Sequence, residues 1–458
     1  MTKKTNREVS SFRDPAGYIY YENNKVYRKI FKCYFKQYDH LMKSGLYKEL
    51  VDNNLLVKHK EVERNKEFII IEVEKIPFIS YPYEWCFSQI KDAGLLTLKI
   101  NKLALEYGMI LKDASGFNVQ FLNGRPIFID TLSFDFYEEG MPWGAYGQFT
   151  RHFMGPILLM KYVDERLNCL LKNYIDGIPV DLADAILKNR GGFTAKQHIK
   201  WHSKAILKNN ENIKDLKTIK MSKIKLIQMI DMMIRQIERL NRGSKITEWE
   251  DYYSHTNYDE VGENNKIKLV KKYLDEVNLN NNDIVFDLGA NDGKYSRIAS
   301  KYSNTISFDI DINCLNNNYN NIQKNNENNI LPLFLDVTNP TPDIGFGLVE
   351  RMGLNKRSNA KCVMVLALIH HIAISNNVLF DDIFSWFSKL GEYLIIEFVP
   401  KEDSQVQKLL KTRKDIFDWY DIEHFEASIL KYFEIIKKDK IKNSERTIYL
   451  IRRKNNGE

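Results

Sequence analysis

Hydrophobic and polar positions are spaced in three different ways along the chain, and the changes between them divide it. The first pattern is strand-like. Gly17-Tyr-Ile-Tyr-Tyr-Glu22, Asn23-Asn24 and Lys25-Val-Tyr-Arg-Lys-Ile30 predict a β-hairpin turning at two asparagines. Glu67 to Val73 predicts another strand, ended by Pro77. From Asp92 to Tyr107 the apolar residues Leu95, Leu96, Leu98, Ile100, Leu103 and Leu105 recur at helical spacing. The second pattern, Pro156 to Leu240, is mostly helical. Pro179 precedes a helix over Val180 to Leu187. Met221 to Leu240 carries Met and Ile on one face and Lys and Arg on the other, which reads as a helix docked on its neighbour, with binding to a membrane or a calmodulin-like partner as the alternative.

The third pattern is a series of short apolar runs ending in acids or turns: Ile284 to Phe286, Thr305 to Phe308, Leu331 to Leu335, Lys361 to Leu368, Tyr393 to Pro400 and Arg446 to Ile451. Apolar runs separated by helical stretches such as Lys294 to Lys301 and Asn265 to Val277 predict a parallel sheet buried on both faces. The expected organisation is an α+β domain over 1–155, a helical continuation and linker over 156–245, and an α/β domain over 246–458. Asn241-Arg-Gly243-Ser marks the last boundary.

Composition narrows the classes. With 458 residues, 44% of them hydrophobic, the chain has material for two or three cores. A net charge of +7 suits an anionic substrate but lacks the clustering of a nucleic-acid binder, so nucleic acid is not the favoured partner. Cys33, Cys86, Cys169, Cys314 and Cys362 are odd in number and scattered, and read as reduced, buried thiols of a cytoplasmic protein. The polar first dozen residues predict no signal peptide, and no apolar run reaches membrane-spanning length. The Asn-rich stretch from Asn316 to Asn329 reads as a helix end and a solvated loop.

The candidate chemistry sits at the strand ends. Asp287-Leu-Gly289-Ala-Asn291-Asp-Gly293 follows the first run of the third pattern. Its glycines allow a tight turn and close approach, and asparagine is one of the few other residues that tolerates positive φ. A second strand ends in Asp309-Ile310, a third in Asp336-Val337, a fourth runs into Ala367-Leu-Ile-His370-His371, and a fifth contains Glu397. The spacing Asp-x-Gly-x-Asn-x-Gly differs from the dinucleotide fingerprint. It resembles the first motif of class I S-adenosylmethionine (SAM) methyltransferases, with Asn291 in place of the middle glycine. The resemblance covers Trp249 to Arg453 and implies a Rossmann-like seven-stranded sheet and SAM as cofactor. It further implies a binding site over Asp287, Gly289, Asn291, Gly293, Asp309, Ile310, Asp336, Val337 and Ala367, and no metal. In that family the third-strand acid meets the adenine, and a lead-in segment such as Trp249 to Tyr258 covers the cofactor. His370, His371 and Glu397 are the candidates for deprotonating an acceptor hydroxyl. The fourth strand lacks Asn-Pro-Pro-Tyr, the sequence that cradles an amide or exocyclic amine.

The N-terminal part carries a second constellation. Asp113, Asn118 five residues on, and Asp130 after a short hairpin resemble the catalytic segment of protein kinases and aminoglycoside phosphotransferases. Leu111-Lys112 and Thr131-Leu132 replace the usual flanking residues, and no glycine-rich phosphate loop is visible, with Lys29 the nearest phosphate-pairing lysine. The plain alternative is a hairpin with an Asn123-Gly124 turn. If Asp113 and Asp130 converge, their cleft either binds a cation or raises one pKa. The aromatic stretch Phe134 to Phe153, including Pro142-Trp143, reads as a packed loop, with a stacking platform for sugars or bases as the alternative.

Asp113 to Asp130, Pro142-Trp143, Asp287 to Gly293, Ala367 to His371 and Glu397 to Lys401 together make the chain similar to long bacterial methyltransferases akin to host-specific nodulation proteins. Three functions follow as expectations. The first is SAM-dependent O-methylation of a glycan or small molecule, with the N-terminal domain recognising substrate. The others are an RNA or protein methyltransferase and a bifunctional kinase–methyltransferase.

Overall fold

Asn23 and Asn24 both take positive φ, 50° and 61°, and the hairpin they close pairs β2 (Gly17–Glu22) with β3 (Lys25–Phe31). With β1 (Asn6–Arg7), β4 (His59–Arg64) and β5 (Phe68–Val73) they form an antiparallel sheet in the order β1-β2-β3-β5-β4. Helices α1 (Phe35–Lys43) and α2 (Leu46–Asp52) lie between β3 and β4 in the chain. Ile30, Tyr34, Tyr38, Ile69, Ile71 and Leu132 form the core here.

The long helix α3 (Phe87–Glu106) begins five residues before the periodicity suggests. The Gln89 side chain accepts from the Cys86 N–H at 2.9 Å and caps the earlier start. After it come β6 (Met109–Leu111), the hairpin of β7 (Val119–Leu122) and β8 (Arg125–Phe128), and β9 (Phe134–Phe136), which pairs with β6. Trp143 is buried and its indole donates to the Leu111 carbonyl at 2.7 Å, so this aromatic is a packing anchor. The helix α4 (Val180–Leu187) follows, and α5 (Lys223–Arg239) buries Leu226, Ile230, Met233 and Ile237, with Asp231 paired to Lys102 of α3 at 2.7 Å.

The structure is a computed structural model that describes residues 6–188, 190, 196–200, 220–242, 258–411 and 413–454. The elements above belong to a first unit, 1–244 with 343–351, and the remainder to a second, 245–342 with 352–458. Within the first unit the 343–351 segment is held by Glu350, whose carboxylate pairs with Arg13 at 2.6 Å and accepts from the Phe346 N–H at 3.0 Å. Gly243-Ser244 and Trp249 to Asn257 lie outside the described residues.

In the second unit Asp259 caps α6 (Glu260–Val277) by accepting from the Gly262 N–H at 2.7 Å. The strands are β10 (Ile284–Leu288), β11 (Asn304–Asp309), β12 (Ile330–Phe334), β13 (Ala360–Val365), β14 (Gly391–Phe398), β15 (Phe433–Lys440) and β16 (Thr447–Arg453). They form one sheet in the order β12-β11-β10-β13-β14-β16-β15. The first five are parallel, and β16 runs antiparallel between β14 and β15. This is the Rossmann-like seven-stranded sheet of the class I methyltransferase fold. The stretch read as a helix over Lys294 to Lys301 contains only a short helical turn at Ser296–Ala299, whereas α7 (Ile312–Asn325) fills the Asn-rich region. Leu269, Val270, Tyr273 and Val277 of α6 pack on Val285, Cys362, Met364 and Ile395 of the sheet.

Two smaller expectations need correction. Cys33 and Cys169 are exposed, so only Cys86, Cys314 and Cys362 are buried thiols. β15 has no counterpart among the apolar runs, because only Phe433 is buried and its other positions are half-buried or exposed. Among the described residues no helix is long and apolar enough to cross a membrane.

Candidate functional site

Strand order reverses between β10 and β13, and in open α/β sheets the crevice outside the carboxyl ends at such a point takes ligands. The chain must turn at once after Leu288. It does so through Gly289, Asn291 and Gly293, all left-handed, with φ of 75°, 51° and 85°. Asn291 thus occupies the region that a glycine would. At Gly293 a Cβ would lie 2.6 Å from the Asn318 amide and 2.7 Å from the Arg297 guanidinium, at a φ of 85° that favours glycine. The loop is fastened to β11. Gly289 and Ala290 N–H groups donate to the Phe308 carbonyl at 2.9 and 3.0 Å, and the Asn291 N–H donates to Asp309 Oδ2 at 2.6 Å.

Two buried acids frame this loop. Asp287 Oδ2 accepts from Ser296 Oγ at 2.6 Å. Burial pushes its pKa up to about 7, and the Asp309 charge adds to the rise against the opposing effects of Ser296 and Lys266. Asp309 Oδ1 accepts from the Asp311 N–H at 2.8 Å. Burial pushes Asp309 up to about 6 despite these backbone donors.

A cavity opens beside them, lined by Tyr258, Glu263, Lys266, Asp287, Gly289, Ala290, Asn291, Tyr295, Leu366 and Ala367. Ala367 has φ 53°, strained for a residue with a Cβ and worth about 1–3 kcal/mol, and it turns β13 into the His370-His371 segment. Asp287, Gly289, Asn291 and Ala367 are therefore brought together at the cavity. Gly293, Asp309, Ile310, Asp336 and Val337 are not among its lining residues, although all lie at the same edge of the sheet. Ile310 is exposed, and Asp336 Oδ1 accepts from the Thr338 N–H and hydroxyl at 2.9 and 2.7 Å.

Tyr258 ends the lead-in segment expected over the cofactor, whereas Glu263, Lys266 and Tyr295 escaped the motif reading. One signal was available. Lys266 stands in register with Leu269, Val270, Tyr273 and Val277 on the buried stripe of α6, and a lysine on such a stripe needs a buried partner. That partner is Glu397, whose Oε2 lies 2.7 Å from the Lys266 ammonium.

This geometry corrects the reading of Glu397 as a proton acceptor. Its carboxylate is fully buried, meets Arg446 Nη1 at 3.2 Å, and accepts from the Tyr258 hydroxyl. Burial works against the charge, but Lys266 and Arg446 outweigh it and hold the pKa down at about 2. A carboxylate that acidic is an ion-pair centre, and it is a poor general base. Arg446 is itself held on Asp403 by two contacts of 2.7 and 3.1 Å.

The histidines stack with ring centroids 4.1 Å apart. His370 is buried, and burial, His371 and Arg446 keep it neutral. His371 is pushed down to about 4, by burial and then by Arg446. Neither lines the cavity among the described residues.

In the first unit, Asp113, Asn118 and Asp130 share one hydrogen-bond network. Asp113 Oδ1 accepts from the Ser115 N–H at 3.0 Å and from Gln148 at 2.8 Å, and Asn118 also bonds its carboxylate. Asn118 donates to Ser133 Oγ at 3.2 Å, and that hydroxyl donates to Asp130. Burial raises the Asp113 pKa, with the Asp130 charge adding to it. Asp130 behaves oppositely. Burial would raise it, but the guanidinium of Arg28 on β3 pairs with it and holds its pKa down. Arg28, not Lys29, is the cation here, and it also reaches Asp14 at 3.4 Å. With a guanidinium already on Asp130, this donor set does not fit a divalent cation.

No family model matches the chain. It is 29% identical over 463 residues to the nodulation protein NoeA of Rhizobium meliloti (strain 1021), across 98% of this chain and 96% of that protein. Among solved structures it is similar to magnesium protoporphyrin IX methyltransferase (ChlM) from Synechocystis PCC 6803 with bound SAH. That match has 17% identity and a TM-score of 0.32, and covers 45% of this chain and 93% of that one. It is also similar to the N-methyltransferase NodS from Bradyrhizobium japonicum WM9, at 7% identity and a TM-score of 0.31, over 43% of this chain and 98% of that one.

Proposed function

We propose that the chain is a SAM-dependent methyltransferase acting on a hydroxyl of a glycan or small molecule, with the first unit contributing to acceptor recognition. The observation that carries this reading is the left-handed Gly289-Asn291-Gly293 loop clamped onto Asp309, beside buried Asp287, where the strand order reverses. The residues suit the cofactor. A Cβ at Gly289 would press on Leu368, at 3.3 Å, in a backbone region that side chains avoid. An ionised carboxylate has about four acceptor sites, so Asp309 can bond two ribose hydroxyls while keeping its two backbone donors. Leu366, Ala367 and Ala290 give the cavity an apolar wall.

The cofactor supplies a methyl group already activated by its sulfonium. The protein's part is to hold both reactants in line and exclude water. The candidate to take the acceptor proton is His371, which lies in the segment that Ala367 turns out of β13 and is neutral at pH 7, although its pKa of about 4 makes it a weak base. The test is transfer of methyl-labelled SAM by the full chain to three pools: a sugar-lipid extract, total RNA and lysate protein. Label in base-stable ethers of the first pool supports the reading, and label confined to RNA or protein contradicts it.

A second reading concerns the first unit, which we propose has a kinase-like arrangement without efficient phosphate transfer. The Asp113–Asn118–Asp130 network after a five-stranded sheet and a long helix supports the likeness. The Arg28 guanidinium on Asp130 supports the lack of transfer.

A further inference from the structure

We propose that Lys266 recognises the carboxylate at the amino-acid end of the cofactor, and that Glu397 is the positioning residue that holds its ammonium at the cavity. This inference rests on the SAM reading above. SAM and its demethylated product S-adenosylhomocysteine both end in an α-amino acid, so a site for them must meet one carboxylate and one ammonium.

The described cavity lining contains two acids, Glu263 and Asp287, and a single cation, Lys266. Glu263 is an acid already paired with the Lys294 ammonium at 2.5 Å, and Asp287, raised to about 7, is partly ionised at neutral pH, so neither attracts a carboxylate, whereas both can accept from an ammonium. The anionic end is thereby directed to Lys266.

The surroundings of Lys266 suit that task. The residue is only 3% exposed, and its ammonium lies 4.8 Å from the Tyr295 ring centroid and 5.0 Å from that of Tyr258. These rings restrict where the group can point and stabilise its charge. The ammonium has three N–H donors, and the 2.7 Å contact to Glu397 uses one. Glu397 is shared with Arg446 at 3.2 Å, so its charge is not spent on Lys266 alone. Lys266 also lowers the Asp287 pKa, which places its charge toward the end of β10 where the cofactor loop begins. A lysine required only for packing would gain nothing from facing a cavity.

The experiment compares two ligands on the full chain by calorimetry. S-adenosylhomocysteine carries the amino-acid end, and 5′-methylthioadenosine keeps the nucleoside and lacks it. In Lys266→Met, affinity for S-adenosylhomocysteine should fall about 10–100-fold, the range for one charge-assisted hydrogen bond, with methylthioadenosine changed less than about threefold. Because Lys266→Met leaves the buried Glu397 with one cation fewer, the double variant Lys266→Met/Glu397→Gln removes both charges and serves if the single variant does not fold. The same ligand-selective loss is expected there. Equal losses for both ligands, or no loss for either, would overturn the assignment. A wild-type chain that binds neither ligand would overturn the cofactor reading itself and the inference with it.

Discussion

Replacing Asp287 with asparagine should change how the stability of the second unit depends on pH. The carboxyl is 2% exposed and its pKa is raised from 3.8 to about 7. An unfolded aspartate ionises near 3.8, so between that value and about 7 the folded state binds a proton that the unfolded state has lost. The stability associated with this group is fully present below pH 3.8 and is lost as pH rises through about 7. Each tenfold in proton affinity corresponds to about 1.4 kcal/mol, and the gap spans about three, so the wild type should lose about 4 kcal/mol across the window. Asparagine keeps the shape and can still accept from Ser296, but it cannot titrate. The assay is amide exchange of Val285 and Phe286 on β10 in the full chain, corrected for intrinsic exchange rates and followed from pH 5 to 8. Wild-type protection should fall steeply, and Asp287→Asn protection should keep only the shallower slope from Asp309, which is raised to about 6. Parallel profiles for the two proteins would refute the reasoning, because the Asp287 carboxyl would then be ionised throughout.

Other expectations concern ligands and turnover. Asp309→Ala should weaken S-adenosylhomocysteine binding by about 2–4 kcal/mol, from two charge-assisted bonds and the lost clamp on the Asn291 N–H, and a loss under about threefold by calorimetry would place the carboxylate elsewhere. His371→Ala should slow methyl transfer while leaving cofactor affinity intact. With its pKa near 4, wild-type turnover should show no histidine step between pH 6 and 9 in a pH–rate profile. Magnesium-ATP turnover by the full chain should be negligible, and turnover that disappears in Asp113→Ala would show a working kinase.

The elements that were legible in sequence are those whose pattern is local. The apolar runs of β10 to β14, the two-asparagine hairpin and the Asp287 to Gly293 spacing each carry their own geometry, and the positive φ of Asn291 follows from its residue type. What escaped depends on partners distant in the chain. Glu397 looks like a catalytic base at a strand end until Lys266 of α6 and Arg446, just before β16, claim its charge. Lys29 is the cation the sequence suggests, and Arg28 emerges as the one at the cleft only once β3 places it against Asp130. The edge strand β4 buries only His59, so its polar sequence carries no strand signal. Helices α3 and α6 begin earlier than their apolar spacing because side-chain caps at Gln89 and Asp259 set the first turn.

The central claim is that the loop from Asp287 to Gly293 holds the cofactor. Its most direct test is calorimetric titration of the full chain with S-adenosylhomocysteine, alongside Gly289→Val. The wild type should bind one equivalent. The variant, whose side chain would stand at the cavity wall and press on Leu368 in a backbone region that side chains avoid, should retain folded first-unit exchange protection and bind none. A folded wild-type chain that shows no binding, or a variant that binds as tightly as the wild type, would contradict the account.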